Sequence, residues 1–249
     1  MELRRRRWKK SLNIAVVIIA VFSARLLLSA TQKEEVDKML ESIHWLGHAS
    51  FRLDGPKIIY FDPWKLSKDS KKADLILVTH DHFDHLSLDD IKRIVSKETV
   101  VIADDSSAKQ IRGKVACKEV RAISPGERTD LEDIGIEAVP SYNIGKAFHP
   151  RASKKVGYVV TVSGVSIYHA GDTDFIPEMK DIRCDIALLP VSGTYVMTAD
   201  EAASAALAIR PKAAIPMHYG DIVGSARDAR DFQDALKGRI EVKILKNER

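Results

Sequence analysis

Apolar positions along this chain fall into short runs that switch between two spacings. From Ile43 onward, Ile43–Leu46, Ser50–Leu53 and Lys57–Phe61 have strand character, with Asp54-Gly55-Pro56 as the turn between the last two. Leu75–Val78 and Asp185–Val191 are apolar runs of the kind found in buried strands. Val100–Ala103, Lys118–Ile123, Ile134–Val139 and Ala213–Met217 predict further strands, and Ile240–Leu245 a last one. Val156–Val162 and Val165–His169 predict a hairpin around Ser163-Gly164. Helical spacing marks Leu88–Val95 behind an N-cap at Ser87, and a short helix from Ser106 or Ser107 to Gly113. It also marks an Ala-rich helix capped by Thr198 and ended by Pro211, and residues 225–237. Pro177–Lys180 predicts a short helical turn. Strands come first, then strand and helix alternate, which suits a layered α/β sandwich.

The first 42 residues follow another pattern. Six of residues 4–10 are Lys or Arg, and Ile14–Phe22 carries no polar side chain. A basic flank before a short apolar core is a targeting pattern. Leu12–Ala30 approaches the roughly 20 apolar residues of a spanning helix, but includes Arg25. We therefore expect residues 1–30 to be a signal-anchor or a signal peptide, with residues 31–42 as a helical linker and residues 43–249 as the one large domain. The positive flank predicts a cytoplasmic N-terminus, membrane association through this segment and an extracytoplasmic placement of residues 43–249. The alternative is a cytoplasmic protein whose translation starts at Met39.

Charge follows the same division. The formal net charge is +4, but residues 1–30 hold seven of the 39 basic residues and one of the 35 acidic ones. The remainder holds 32 basic and 34 acidic residues, a net of −2. That body is not a basic nucleic-acid binder by composition. Cys117 and Cys184 form no CxxC pair and no disulfide framework.

The candidate chemistry lies in Thr79-His80-Asp81-His82-Phe83-Asp84-His85, directly after the Leu75–Val78 strand. Three histidines and two carboxylates occupy six consecutive residues. Imidazole and carboxylate suit zinc, manganese or iron, and no thiolate is near. A solvated capping loop before Ser87 is the plainer alternative, but ligand-type residues at this spacing have no capping purpose. Single residues elsewhere stay open. Taken alone, Asp172 reads as an N-cap, His218 as a strand-end structural residue and His48 as a turn histidine. His44 faces a strand surface.

His80-x-His82-x-Asp84-His85 resembles the metallo-β-lactamase superfamily signature. Trp45-Leu46-Gly47-His48-Ala49-Ser50-Phe51, Tyr168-His169-Ala170-Gly171-Asp172-Thr173 and Ile215-Pro216-Met217-His218-Tyr219-Gly220 extend the resemblance. They point to the branch of small metal-dependent hydrolases that includes ascorbate-6-phosphate lactonase-like and N-acylphosphatidylethanolamine phospholipase D-like proteins. The resemblance implies a four-layer αββα sandwich and two divalent ions, zinc first, with manganese or iron as alternatives. One ion would take His80, His82 and a third ligand. The other would take Asp84, His85 and His218, with Asp172 bridging. Asp84 and His169 are the candidate catalytic residues, His169 as an orienting or substrate-facing group. The chain departs from the family pattern at Pro140-Ser141-Tyr142-Asn143, where relatives place the third histidine. Either His149 bends back to supply it, or Asn143 stands in its place.

The implied reaction is hydrolysis of an ester, lactone, amide or phosphodiester by a metal-bound hydroxide. No Gly-x-Ser-x-Gly nucleophile elbow is present. The implied substrate is a small or lipid-like molecule, with no nucleic-acid partner. Two other classes stay open: a nucleic-acid-processing member, set against by the acidic body, and a non-catalytic metal-binding relic, motivated by Asn143.

Overall fold

The structure, a computed structural model, describes residues 31–249. Residues 31–41 are helical (α1), and residues 40–249 form a compact unit. No helix among the described residues is long and apolar enough to cross a membrane. This overturns the expected membrane-anchored, extracytoplasmic arrangement. The hydrophobic segment on which that expectation rested, residues 1–30, lies outside the described residues.

Within the compact unit, strands form two mixed sheets. The first contains β1 (Ile43–Trp45), β2 (Phe51–Asp54), β3 (Ile58–Phe61), β4 (Leu75–Val78), β5 (Val100–Ala103) and β6 (Glu119–Ala122), in sequence order. β1 to β3 pair antiparallel and β3 to β6 parallel. The second contains β7 (Arg128–Leu131), β8 (Ile134–Pro140), β9 (Val156–Val162), β10 (Val165–His169), β11 (Ile186–Pro190), β12 (Ala213–Met217) and β13 (Glu241–Val242), also in order. Here β7 to β10 pair antiparallel and β10 to β13 parallel.

Side-chain alternation explains how the layers assemble. Ile76 and Val78 of β4 and Val101 and Ala103 of β5 point to one face. There they join Ile91 and Ile94 of α2 (Leu88–Ile94) and Ala108 and Ile111 of α3 (Asp105–Ile111) in one apolar cluster. Each large aliphatic side chain buried this way contributes about 1.5–3 kcal/mol. The other face of this sheet meets the second sheet, where the buried Tyr158 hydroxyl of β9 donates to Val78 O at 2.8 Å. Helix α4 (Ala199–Ile209) packs on β11, and α5 (Ala226–Leu236) on β12 and β13. β4, β5, β11 and β12 are buried at every residue, as parallel strands covered on both faces must be.

Local signals set the helix ends. Thr198 and Glu201 form a capping box on α4, and Ser225 with Asp228 does so on α5. Helix α3 begins earlier than its serines suggest. Its N-cap is Asp104, which accepts from Ser107 N. β7 was not apparent in the sequence because Arg-Thr-Asp-Leu is a polar edge strand. The last strand is shorter than expected, reduced to Glu241–Val242. Beyond it the chain crosses to the first sheet, where Glu248 N donates to Trp45 O at 2.9 Å beside β1.

The carboxyl ends of β3, β4, β8, β10, β11 and β12 carry the loops that matter below, the usual address of a site on parallel strands. One strand contact limits how they are delivered. A Cβ on Gly157 of β9 would lie 2.8 Å from His169 O and 2.9 Å from Ala170 O, both backbone atoms at the end of β10. Gly157→Ala should therefore destabilise the protein by about 1–3 kcal/mol. Gly135→Ala, whose nearest neighbours would be side-chain atoms at 3.6 and 3.8 Å, should change stability by less than about 1 kcal/mol. Urea denaturation of the two variants checks this; equal midpoints would show that the strand gives way.

Candidate metal centre

Two groups of histidine and carboxylate side chains converge above the strand ends. His80, His82, His149 and Asp172 form one, and His48, Asp84, His85 and His218 the other. Within each, one potential ligand atom per residue lies within 4.8 Å of the others. The loop after β4 supplies His80, His82, Asp84 and His85, and the β1–β2 turn supplies His48. The second sheet supplies His149 after β8, Asp172 after β10 and His218 after β12. Asp172 faces both groups. Its Oδ1 is 3.2 Å from His85 Nε2 and from His218 Nε2, and its Oδ2 is 3.8 Å from His80 Nε2.

A hydrogen-bond chain behind the ligands fixes their tautomers. Asp62, at the end of β3, is fully buried. It accepts from Thr79 N and Thr79 Oγ1, each at 2.7 Å, and from His85 Nδ1 at 2.7 Å. The Thr79 hydroxyl has given its proton to Asp62, so it accepts from His80 Nδ1 at 2.9 Å. Both rings therefore turn Nε2 lone pairs toward the site. Those two atoms and Asp172 Oδ1 are buried without a hydrogen-bond partner. Three orphaned buried acceptors aimed at one another are costly in a protein alone and fit a cation placed among them. On the other sheet, Ser192 Oγ lies 3.1 Å from His218 Nδ1 and orients that ring. Beneath the loop, buried Lys155 pairs with Asp81 and, at 3.1 Å, with Asp104.

The backbone is unusual here. His48, Asp62, His149 and His218 all adopt left-handed conformations, with φ of 53°, 43°, 55° and 61°. Non-glycine residues rarely do so, and such strain clusters at functional sites.

Electrostatics separate the imidazoles. Burial, reinforced by the charge of His85, holds His80 well below the ordinary histidine value. Burial also lowers His48, against the pull of Asp84, and brings His149 down to about 4. For His85 burial acts in the same direction, but Asp172 and Asp62 outweigh it and hold its pKa well above the ordinary value. Burial works to raise Asp172, yet His218 and His85 keep it well below the usual carboxylate range. Neutral imidazoles and ionised carboxylates are the forms that bind metal, so an ion bound here would displace the proton that His85 holds in the metal-free chain. Cys184, pushed up to about 12 by burial, is no thiolate.

A profile of the beta-lactamase superfamily domain matches residues 42–218. The chain belongs to the beta-lactamase superfamily. A UPF0173 metal-dependent hydrolase of Pyrococcus furiosus is 34% identical over 218 residues, which span 82% of this chain and 96% of that protein. Among solved structures, a Parabacteroides distasonis protein assigned as a metal-dependent hydrolase is 36% identical. It has a TM-score of 0.73 and covers 82% of this chain and 93% of its own. Igni18, a metallo hydrolase of Ignicoccus hospitalis, has a TM-score of 0.70 over 83% of this chain and 95% of its own; at 24% identity it shows the fold alone. This superfamily member is accordingly an enzyme, a metal-dependent hydrolase.

The positions of the sequence-derived candidates can now be stated. His80, His82, Asp84, His85, His149, Asp172 and His218 all lie in the two groups. Of the two alternatives after β8, His149 reaches the site, 3.1 Å from His82. Asn143 instead braces the loop, its Nδ2 donating to Phe148 O at 3.1 Å and Tyr195 O at 2.5 Å. His169 requires correction as a catalytic candidate. It is fully buried, stacked on Phe61 at 5.3 Å, with Nε2 donating to Ala49 O at 2.8 Å and Nδ1 accepting from Gly171 N at 3.3 Å. Both ring nitrogens are spent on backbone, so it holds the β10 end rather than facing substrate. His48 belongs to the second group although its turn position left it open. Asp62 was missed, since nothing but its place after a strand marks it in the sequence.

The pH response of the metal-free protein follows from these shifts. His48, His80 and His149 have folded pKa values below that of the unfolded chain, about 6.5. The unfolded state takes up these protons first, so their contribution is full above about pH 6.5 and is lost as pH falls toward 4. His85 has the opposite sign, its contribution being lost only as pH rises through its raised value. Chelator-treated protein should thus lose denaturation midpoint steadily between about pH 6.5 and 4. A midpoint flat across that window would mean that the buried imidazoles already carry protons.

Proposed function

We propose that this chain is a hydrolase working with two divalent ions held on the two groups. His80, His82 and His149 would hold one. His48, Asp84, His85 and His218 would hold the other, and Asp172 would touch both. The observation that carries this reading is that Asp172 lies between two donor sets, with its Oδ1 and the Nε2 atoms of His80 and His85 buried and without another partner. Its imidazole and carboxylate donors without thiolate suit zinc first, and manganese or iron as well. We read the paired sheets and the helices on each as a four-layer αββα sandwich, which leaves the strand-end loops of both sheets to make the site.

When bound, the ions supply an acidified solvent molecule and Lewis acidity toward a carbonyl or phosphoryl oxygen. The chain supplies the rest. Asp62, Thr79 and Ser192 fix ring orientation, so the ligand geometry requires no rearrangement during reaction. Asp84 is positioned to carry a proton: its Oδ2 accepts from His48 Nε2 at 3.0 Å, and its side chain is slightly exposed at the cavity wall. Together these features support hydrolysis of an ester, lactone or phosphodiester of a small or lipid-like molecule.

The test is loss of metal with retention of fold. Asp172→Ala should lose bound metal and lower kcat/KM by about 100-fold or more, with an unchanged circular dichroism spectrum. Full metal content in this variant would sink the two-ion assignment. The brace and the ligand separate in a second comparison. Asn143→Ala should weaken metal binding by about 10–100-fold, as loss of an orienting partner does, and His149→Ala by more. Metal content by elemental analysis after dialysis against graded chelator reads both, and the reverse order would assign the third position to Asn143.

A further inference from the structure

The candidate site lies at the floor of a cavity of about 470 Å³, and the rim of that cavity is apolar. Phe83, Phe148, Tyr195 and Ile222 line it, and they are 68%, 48%, 47% and 44% exposed. Among the described residues seven large apolar side chains are 37% or more exposed, and four of the seven surround this one opening. They come from four loops, after β4, β8, β11 and β12. Scattered surface hydrophobics need no explanation, but a cluster around a concave site does.

The charges near the cavity point the same way. None of the described residues lining it is a lysine or arginine. Cations near these loops are already paired: Lys155 with Asp81 and Asp104, Lys146 with Asp174 and Val196 O, and Lys65 and Arg249, both over Trp64, with Asp221. Asp81 itself lines the wall. Sites for phosphate or carboxylate groups commonly add Arg and Lys donors, and beyond the proposed ions this wall supplies none. The rim is also held in place. Phe148 and Tyr195 meet edge-to-face at 5.1 Å, Phe83 meets Trp64 at 6.1 Å, and Asn143 ties the two loops of the first pair.

Building on the hydrolase reading above, we propose that the substrate is an uncharged carboxylic ester or lactone whose apolar group rests on Phe83, Phe148, Tyr195 and Ile222. Phosphodiesters and sugar phosphates are disfavoured. Cleavage adds one water across the acyl–oxygen bond. The carbonyl carbon gains hydroxyl, the alcohol oxygen leaves with the other proton, and no redox partner is needed.

The test separates the cavity from the chemistry. Straight-chain methyl ketones from butanone to octanone, which resist hydrolysis, are titrated into the intact chain by calorimetry. Affinity should rise by up to about fourfold per added methylene. On chelator-treated protein, where no ion can coordinate it, octanone bearing a terminal carboxylate should bind at least about tenfold more weakly than octanone itself. The double variant Phe83→Ser, Ile222→Ser should flatten the chain-length dependence, and circular dichroism confirms that it folds. Affinity independent of chain length, or tighter binding of the carboxylate, overturns the proposal. In parallel, nitrophenyl esters of increasing acyl length are offered to the metal-loaded protein. Hydrolysis that grows with acyl length supports both readings. Hydrolysis without that growth overturns the proposal and leaves the hydrolase standing. Ketone binding that strengthens with length while no ester is turned over supports the apolar cavity and refutes the hydrolase reading.

Discussion

One buried carboxylate sets the geometry on which the site depends. Asp62 sits where β3 ends, beside β4, because Phe61 pairs with Leu77 and Asp62 N continues the ladder to Leu77 O. A carboxylate in that position must be fully bonded or it would be strongly destabilising. Three donors meet that need, two from Thr79 and one from His85. Satisfying Asp62 thus selects one tautomer of His85 directly and one of His80 through the Thr79 hydroxyl. Those histidines belong to different donor groups, so one strand register organises both halves of the centre.

Each donor group also draws on both sheets. His80 and His82 meet His149 and Asp172 across the sheet boundary, and His48, Asp84 and His85 meet His218. The second meeting is fixed by backbone as well, since His218 N donates to His48 O at 2.9 Å. Arg249 strengthens it. Its guanidinium bonds Asp221 at 2.6 and 2.8 Å and also reaches Leu46 O, joining the loop after His218 to the turn before His48. A side chain at Gly47 would occupy that guanidinium's place, with a Cβ only 2.0 Å from it. The left-handed residues of the site persist because these ties over-determine their positions. An ion bound to either group would clamp the two sheets, and its binding free energy would then add to folding free energy.

Much of this was legible in the sequence, for reasons that differ by residue. Parallel strands buried on both faces read as plain apolar runs, so β4 and β11 stood out. β7 did not, because an edge strand of Arg, Thr, Asp and Leu carries no apolar signal. The ligands on the β4 loop are close in sequence and declare themselves by spacing. His149 was legible only as one of two alternatives, since the choice depends on how the loop folds back, with Asn143 N donating to His149 O at 2.8 Å. His169 misled because a histidine at a strand end near a ligand motif looks the same whether its ring faces the cavity or the core. Asp62 was illegible because its role comes from strand register, which a single sequence does not display.

Floor and rim are not independent parts. Phe83 lies between His82 and Asp84 in sequence, and Phe148 directly precedes His149. Any shift of these walls toward a substrate therefore moves donor atoms. Tyr195 joins the same unit through Asn143, and Lys146 adds a second tie, from Asp174 to Val196 O. Ile222 is the exception. It lies four residues past His218, in a loop whose near end is held by Asp221 and Arg249. A site built this way recognises shape with a wall that is largely formed before binding, which limits the ordering entropy lost on association. It also means that specificity is most readily altered at Ile222, where a change of side chain reaches the cavity without lying next to a donor.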